Sequence, residues 1–152
     1  MKTFKFKTNR RPQITPMPSH VSIIHEEGET LLGSVQGKEA SAPEERMAKE
    51  LTKSGKQFLF RYVFGAPKGL PGWKELDFLI SSNGLLYAVE VDTAFTHRNK
   101  AQKDKLHDAL ILADRHISSM GTLYPQVFHA SGDTDLADQR NAAQYVKNNF
   151  GR

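Results

Sequence analysis

The 152 residues carry 21 Lys plus Arg against 17 Asp plus Glu, a formal net charge of +4, with 38% hydrophobic and 25% charged residues and no cysteine. Disulfides and thiolate metal sites are thereby excluded, no run of about 18 apolar residues is present to span a bilayer, and the balance is that of a folded domain. A chain of this length buries roughly 70% of its unfolded surface, enough for one core without staples, and intracellular residence is the expectation.

Residues 1–20 read as a basic arm. Lys2, Lys5, Lys7, Arg10 and Arg11 all precede the first acid, Glu26, and Pro12, Pro16 and Pro18 hold the stretch extended. It is either a solvated tail or an arm whose Arg10 and Arg11 meet phosphate, and it lacks the apolar centre of a secretory signal. Residues 21–152 read as a single domain. Val21 to Ile24 predicts a short strand, HEEGET a turn, and LLGSVQGKEA is ambiguous.

Ser41-Ala-Pro-Glu44 predicts a helix start: Ser41 caps, Pro43 tolerates an early helical position, and Glu44 closes a capping box. The helix is expected to stop at Gly55, with Met47, Ala48 and Leu51 on one face. Gln57 to Phe64 is rich in aromatic strand formers. The loop GAPKGLPGW lacks the spacing of a nucleotide-binding phosphate loop, leaving Lys68 and Trp73 as candidate ligand contacts. Glu75–Ile80 and Leu85–Asp92 predict two strands around Asn83-Gly84, the strongest short hairpin signal. A long helix is expected from about His97 to Arg115, with Leu106, Ala109, Leu110 and Ala113 on its apolar side and Lys100, Lys103 and His107 on another. A strand at Pro125–Ala130 and a helix at Asp135–Asn149 follow, the latter burying Leu136, Ala143, Val146 and Phe150. The order implies an α/β sandwich around a mixed sheet, with a right-handed parallel crossover joining Asp92 to the strand at 125–130.

If Asn83 and Gly84 are the two loop residues of the hairpin, Asp77 faces Glu90 and Glu75 faces Asp92, and all four acids project from one side of the sheet. Opposed like charges destabilise a hairpin. Such a patch persists if groups titrate, turn to solvent, or hold a cation between them. Two carboxylates with waters and a substrate phosphate satisfy Mg²⁺; the competing reading is a soluble, exposed hairpin face. His20, His25, His116 and His129 have no partner pattern and read as structural. Arg61, alternating with apolar neighbours, either pairs with an acid or contacts phosphate.

In order and spacing, the helix bearing Glu44 and Glu45, then Phe60-Arg61, Leu76-Asp77-Phe78, Glu90-Val91-Asp92, His97 and Asp104-Lys105-Leu106-His107-Asp108 resemble the PD-(D/E)XK nuclease core, most closely its branch related to very-short-patch-repair endonucleases. The resemblance spans about residues 42 to 130. Asp92 stands where the superfamily's E-x-K motif carries lysine, as in the branch's own E-V-D form. His97 falls one residue later than the branch's spacing, and Thr93 replaces its usual glycine.

What the resemblance implies is a restriction-endonuclease-like core, a central mixed β-sheet flanked by helices on both sides. The implied activity is Mg²⁺-dependent hydrolysis of DNA phosphodiesters, with Mn²⁺ a possible substitute. Asp77, Glu90 and Asp92 would seat metal, and Glu45 or Glu44 would hold a second ion or orient water. His97 or Lys103 would take a proton or steady charge at phosphorus. Arg61, Lys68 and Lys100, with Arg10 and Arg11, would contact DNA. The expected setting is the cytoplasm of a prokaryotic or phage-type host, with a homodimer or partner protein supplying target recognition. The alternative is a nuclease fold that no longer cuts and serves as a DNA-binding or assembly subunit.

Overall fold

A computed structural model describes residues 23–24, 29–92 and 101–151, with side chains over 29–92 and 105–151. Arg10, Arg11, His97 and Lys100 lie outside the described residues, as does the side chain of Lys103. The elements are β1 (Ile23–Ile24), β2 (Thr30–Leu31), β3 (Ser34–Val35), β4 (Lys38–Glu39), α1 (Ala42–Lys53), β5 (Gln57–Phe64), β6 (Lys74–Ser82), β7 (Leu85–Asp92), α2 (Ala101–Ala113), α3 (Arg115–Met120), β8 (Thr122–Leu123), β9 (Phe128–Ser131) and α4 (Gln139–Phe150).

The fold is α/β, with a curled mixed sheet flanked by helices. β5, β6 and β7 run antiparallel, and β7 then pairs in parallel with β8 at Leu85–Leu86 and with β9 at Val89–Asp92. The parallel return expected at 125–130 is present as β9, shifted to Phe128–Ser131, and β8 adds a parallel pairing that was not expected. One face of the sheet packs Phe58, Phe60, Phe78, Ile80 and Val89 against Met47 and Leu51 of α1 and Val146 and Phe150 of α4. The other packs Leu76, Leu79, Leu86 and Ala88 against Ile111 of α2 and Ile117 of α3.

Local chemistry explains most boundaries. Ser41 and Glu44 form the expected capping box, the Ser41 amide donating to Glu44 Oε1 at 2.8 Å, which satisfies donors that the first helical turn leaves orphaned. Asn83 and Gly84 take φ of 54° and 80°, the left-handed pair that a two-residue hairpin turn demands. Gln36 and Gly37 do the same between β3 and β4, resolving the ambiguous LLGSVQGKEA stretch as a small hairpin.

The described part of the expected long helix, 101–115, departs from expectation twice. Asp114 accepts the Ile117 amide and caps a separate α3, so α2 ends at Ala113, two residues short of the expected Arg115, and a short helix follows that was not expected. The apolar face is also reversed. Leu106 is 63% exposed and Leu110 37%, Ala109 and Ala113 are likewise exposed, and Ile111 is fully buried with His107 and Asp108 half-buried on its side. In α4, Ala142 takes the fully buried position expected of Ala143.

Backbone alternation changes face once in each of two neighbouring strands. Phe58 and Phe60 enter the core beneath α1, whereas Phe64 enters the opposite one; Phe78 and Ile80 likewise lie opposite Leu76. Positions two apart in a strand normally share a face, so both strands turn over between these residues. The ladder passes from Phe60↔Phe78 to Tyr62↔Leu76, stepping over Arg61 and Asp77. Arg61 has φ 56°, a conformation that L residues other than Asn and Asp rarely adopt.

Candidate functional site

The register of the central hairpin is the one expected from its turn, but the ladder of β6 with β7 ends at Phe78↔Val89. One step beyond, side chains replace main-chain pairing. The Asp77 amide donates to Glu90 Oε2 at 3.0 Å, and the Val91 amide donates to Asp77 Oδ2 at 2.8 Å. Each acid thus satisfies a donor of the other's strand that the parting of β6 from β7 would leave unpaired. Two carboxylates are held together there, and the electrostatics record it. Burial and the neighbouring Glu90 push the Asp77 carboxyl up to about 8; Glu44 adds to the rise, while the Val91 amide and Arg61 oppose it.

The four acids do not form one repelling patch. Glu75 lies 4.0 Å from Lys68. His107 Nε2 lies 3.3 Å from Glu90 Oε1, and the hydrogen bond to Glu90 raises the imidazole pKa against the effect of burial, with Asp108 contributing. Asp92 joins a different chain: its Oδ2 lies 3.0 Å from His129 Nδ1, and His129 Nε2 lies 2.7 Å from Asp108 Oδ2. Burial lowers the His129 pKa, and the hydrogen bonds and charges of Asp108 and Asp92 outweigh it, leaving the pKa raised. Helix α2 therefore meets the sheet through two successive polar residues, His107 on Glu90 and Asp108 on His129.

Several expectations about individual residues change. Glu45 does not face this centre. Its two oxygens accept the Leu32 and Gly33 amides at 2.8 and 2.7 Å, and it is 3% exposed; tying β2 and β3 to α1 is its task. Glu44 is the acid of α1 whose charge reaches Asp77. Arg61 stands across from Asp77 in the β5–β6 register, its guanidinium carbon 5.8 Å from the Phe60 ring centroid. Its Nε is buried with no hydrogen-bond partner among the described residues. Lys68 lies over the Trp73 ring at 5.7 Å, at the loop's surface. His107, expected on the lysine-bearing side of α2, points to Glu90. His116 meets the Tyr62 hydroxyl.

From the sequence His129 reads as structural, because an isolated histidine in a strand has no local pattern. Its place beside the acids follows from parallel pairing, which sets Glu90 beside His129 and Asp92 beside Ser131, a relationship between residues far apart in the chain. The alternating F-H-A-S of β9 next to V-E-V-D of β7 was the available signal.

Among the described residues, no group of three or more His, Asp and Glu side chains is arranged to hold a metal ion. Asp77 and Glu90 offer a sparser donor set, two hard carboxylates whose mutual repulsion a cation would relieve, and Mg²⁺ needs only one or two protein carboxylates with water completing its shell. The pair fits that ion type. No helix among the described residues is long and apolar enough to cross a membrane. No family model, curated protein or solved structure matches the chain.

Proposed function

We propose that this chain is a metal-dependent DNA endonuclease with a restriction-endonuclease-like core. One observation carries the reading: Asp77 and Glu90 are interlocked where the central strands part, with the Asp77 carboxyl raised to about 8. Paired acids whose environment strongly perturbs one of them are a mark of functional sites. The PD-(D/E)XK-like order of motifs supplies the reaction class.

In this reading Asp77 and Glu90 hold Mg²⁺ or Mn²⁺. The ion, when bound, lends Lewis acidity toward a phosphate oxygen and lowers the pKa of water. Arg61, opposite Asp77, binds the scissile phosphate, and Lys68 at the neighbouring loop extends the contact along the backbone. His107 orients Glu90 by its hydrogen bond. Asp92, paired with His129, orients groups at the centre, while His97 and Lys103 are assigned proton and charge roles on the motif resemblance alone. Arg10, Arg11 and Lys100 add phosphate contacts. A chain with one such centre cuts both strands as a homodimer or with a partner, in the cytoplasm of its host.

Plasmid nicking with Mg²⁺ and Mn²⁺ tests the proposal. Wild type nicks, and Asp77→Ala and Glu90→Ala do not; nicking insensitive to both substitutions, or none by wild type with either ion, overturns it. A second reading, a DNA-binding or assembly subunit that no longer cuts, is favoured by Asp92 in the lysine position and by His107 on Glu90 Oε1. It predicts salt-dependent DNA affinity without cleavage.

A further inference from the structure

Asp92, His129 and Asp108 come from β7, β9 and α2, and they meet in one line of hydrogen bonds: Asp92 Oδ2 to His129 Nδ1 at 3.0 Å, then His129 Nε2 to Asp108 Oδ2 at 2.7 Å. An imidazole with a carboxylate at each ring nitrogen donates at both, and so carries a positive charge. Parallel pairing places His129 directly beside Glu90, so that charge lies on the strand adjoining the candidate metal pair. The far carboxylate is fixed, too: Asp108 Oδ1 is buried without a hydrogen-bond partner among the described residues, so the Oδ2 contact to His129 is the bond that anchors the group. At the other end, the Gly132 amide donates to the Asp92 carbonyl at 2.6 Å, and a Cβ at Gly132 would lie 3.1 Å from the Pro43 side chain and 3.3 Å from that carbonyl. The end of β7 is thus held on its main chain by the residue following β9 and on its side chain by His129.

We propose that His129 is a positioning residue of the candidate nuclease centre: anchored by Asp108, it fixes Asp92 and compensates its charge, supplying from β9 the cation that the E-V-D strand does not carry. With Asp92 and Asp108 both partnered by one imidazolium, Asp77 and Glu90, beside Arg61 and His107, form a separate acid pair at this sheet end. His129 acts through Asp92 and makes no contact with the scissile group. The inference rests on the nuclease reading above.

The test is steady-state nicking of plasmid in Mg²⁺ by the full chain, comparing wild type, Asp77→Ala, His129→Gln, His129→Gly with and without added imidazole, and Asp108→Asn. Thermal melts confirm folding. Supporting groups behind metal ligands contribute about 10- to 100-fold to activity, and a fall of that size in kcat is expected for His129→Gln with KM for DNA unchanged. Imidazole is expected to restore part of the loss in His129→Gly. Should the His129 variants not fold, Asp108→Asn, which keeps the ring and weakens its anchor, is expected to lower kcat alone. Wild-type kcat in a folded His129→Gln or, failing that, in Asp108→Asn overturns the positioning role while the nuclease reading stands. A change confined to KM, or no rescue by imidazole in a folded His129→Gly, does the same. Wild type as inert as Asp77→Ala overturns both.

Discussion

Arg61 stands across from Asp77 at the level where β5 and β6 both turn over, and it has a φ of 56° there. Left-handed backbone costs an L residue roughly 1–2 kcal/mol, and glycine escapes that cost. Replacing Arg61 by Gly and by Ala therefore separates the backbone from the side chain. Arg61→Gly is expected to exceed Arg61→Ala in urea-denaturation stability by about 1 kcal/mol. Both are expected to lose DNA affinity at low salt, because both lack the guanidinium. An alanine variant more stable than the glycine variant would show that the turn-over does not depend on this residue.

Burial and the neighbouring Glu90 disfavour the charge of Asp77 and push its carboxyl up to about 8 in the folded chain, from an ordinary value of 3.8. A carboxyl whose folded pKa is raised binds its proton more tightly when folded, so its contribution to stability is full below about pH 4. That contribution is lost as pH rises toward 8. In EDTA, wild-type stability is expected to decline across this window. Asp77→Asn should flatten the decline and be the more stable protein at pH 8, by on the order of a few kcal/mol. Denaturant titrations at several pH values read this directly, and parallel wild-type and variant curves would refute it.

Glu45 serves the fold. Truncating it removes the carboxylate that accepts the Leu32 and Gly33 amides in part-buried hydrogen bonds, at about 1 kcal/mol for each bond lost. Glu45→Ala should lower the melting temperature while the folded fraction nicks DNA with wild-type kcat. A folded Glu45→Ala chain without activity would restore the acid to the catalytic set.

On α2, the exposed leucines and the buried isoleucine predict opposite responses. Leu106→Gln and Leu110→Gln are expected to change stability by about 0.5 kcal/mol or less, as is usual at exposed positions. Ile111→Ala is expected to cost about 2–5 kcal/mol. Equal losses at all three positions would show that the leucines are packed.

How much of this was legible in the sequence depended on how local each determinant is. The capping box at Ser41 and Glu44, strand β5 and the Asn83-Gly84 register are decided within a few residues, and they stand as expected. The face of α2 was misread because hydrophobic periodicity assumes that apolar residues point inward, and here His107 and Asp108 do so by meeting Glu90 and His129. Asp114 falls at the end of the expected helix, and its second task as the cap of α3 carries no marked apolar period after it. Arg61's left-handed backbone and the Asp92–His129–Asp108 line arise only when strands distant in the chain are assembled, and no spacing announces them.

Anomalous diffraction from a crystal soaked in Mn²⁺ asks directly whether Asp77 and Glu90 seat a divalent cation. A manganese peak within coordination distance of both carboxylates is expected in wild type, and its disappearance in Asp77→Asn. An empty pair in wild type, with the Asp77 amide still on Glu90 and the Val91 amide still on Asp77, would contradict a metal seat there.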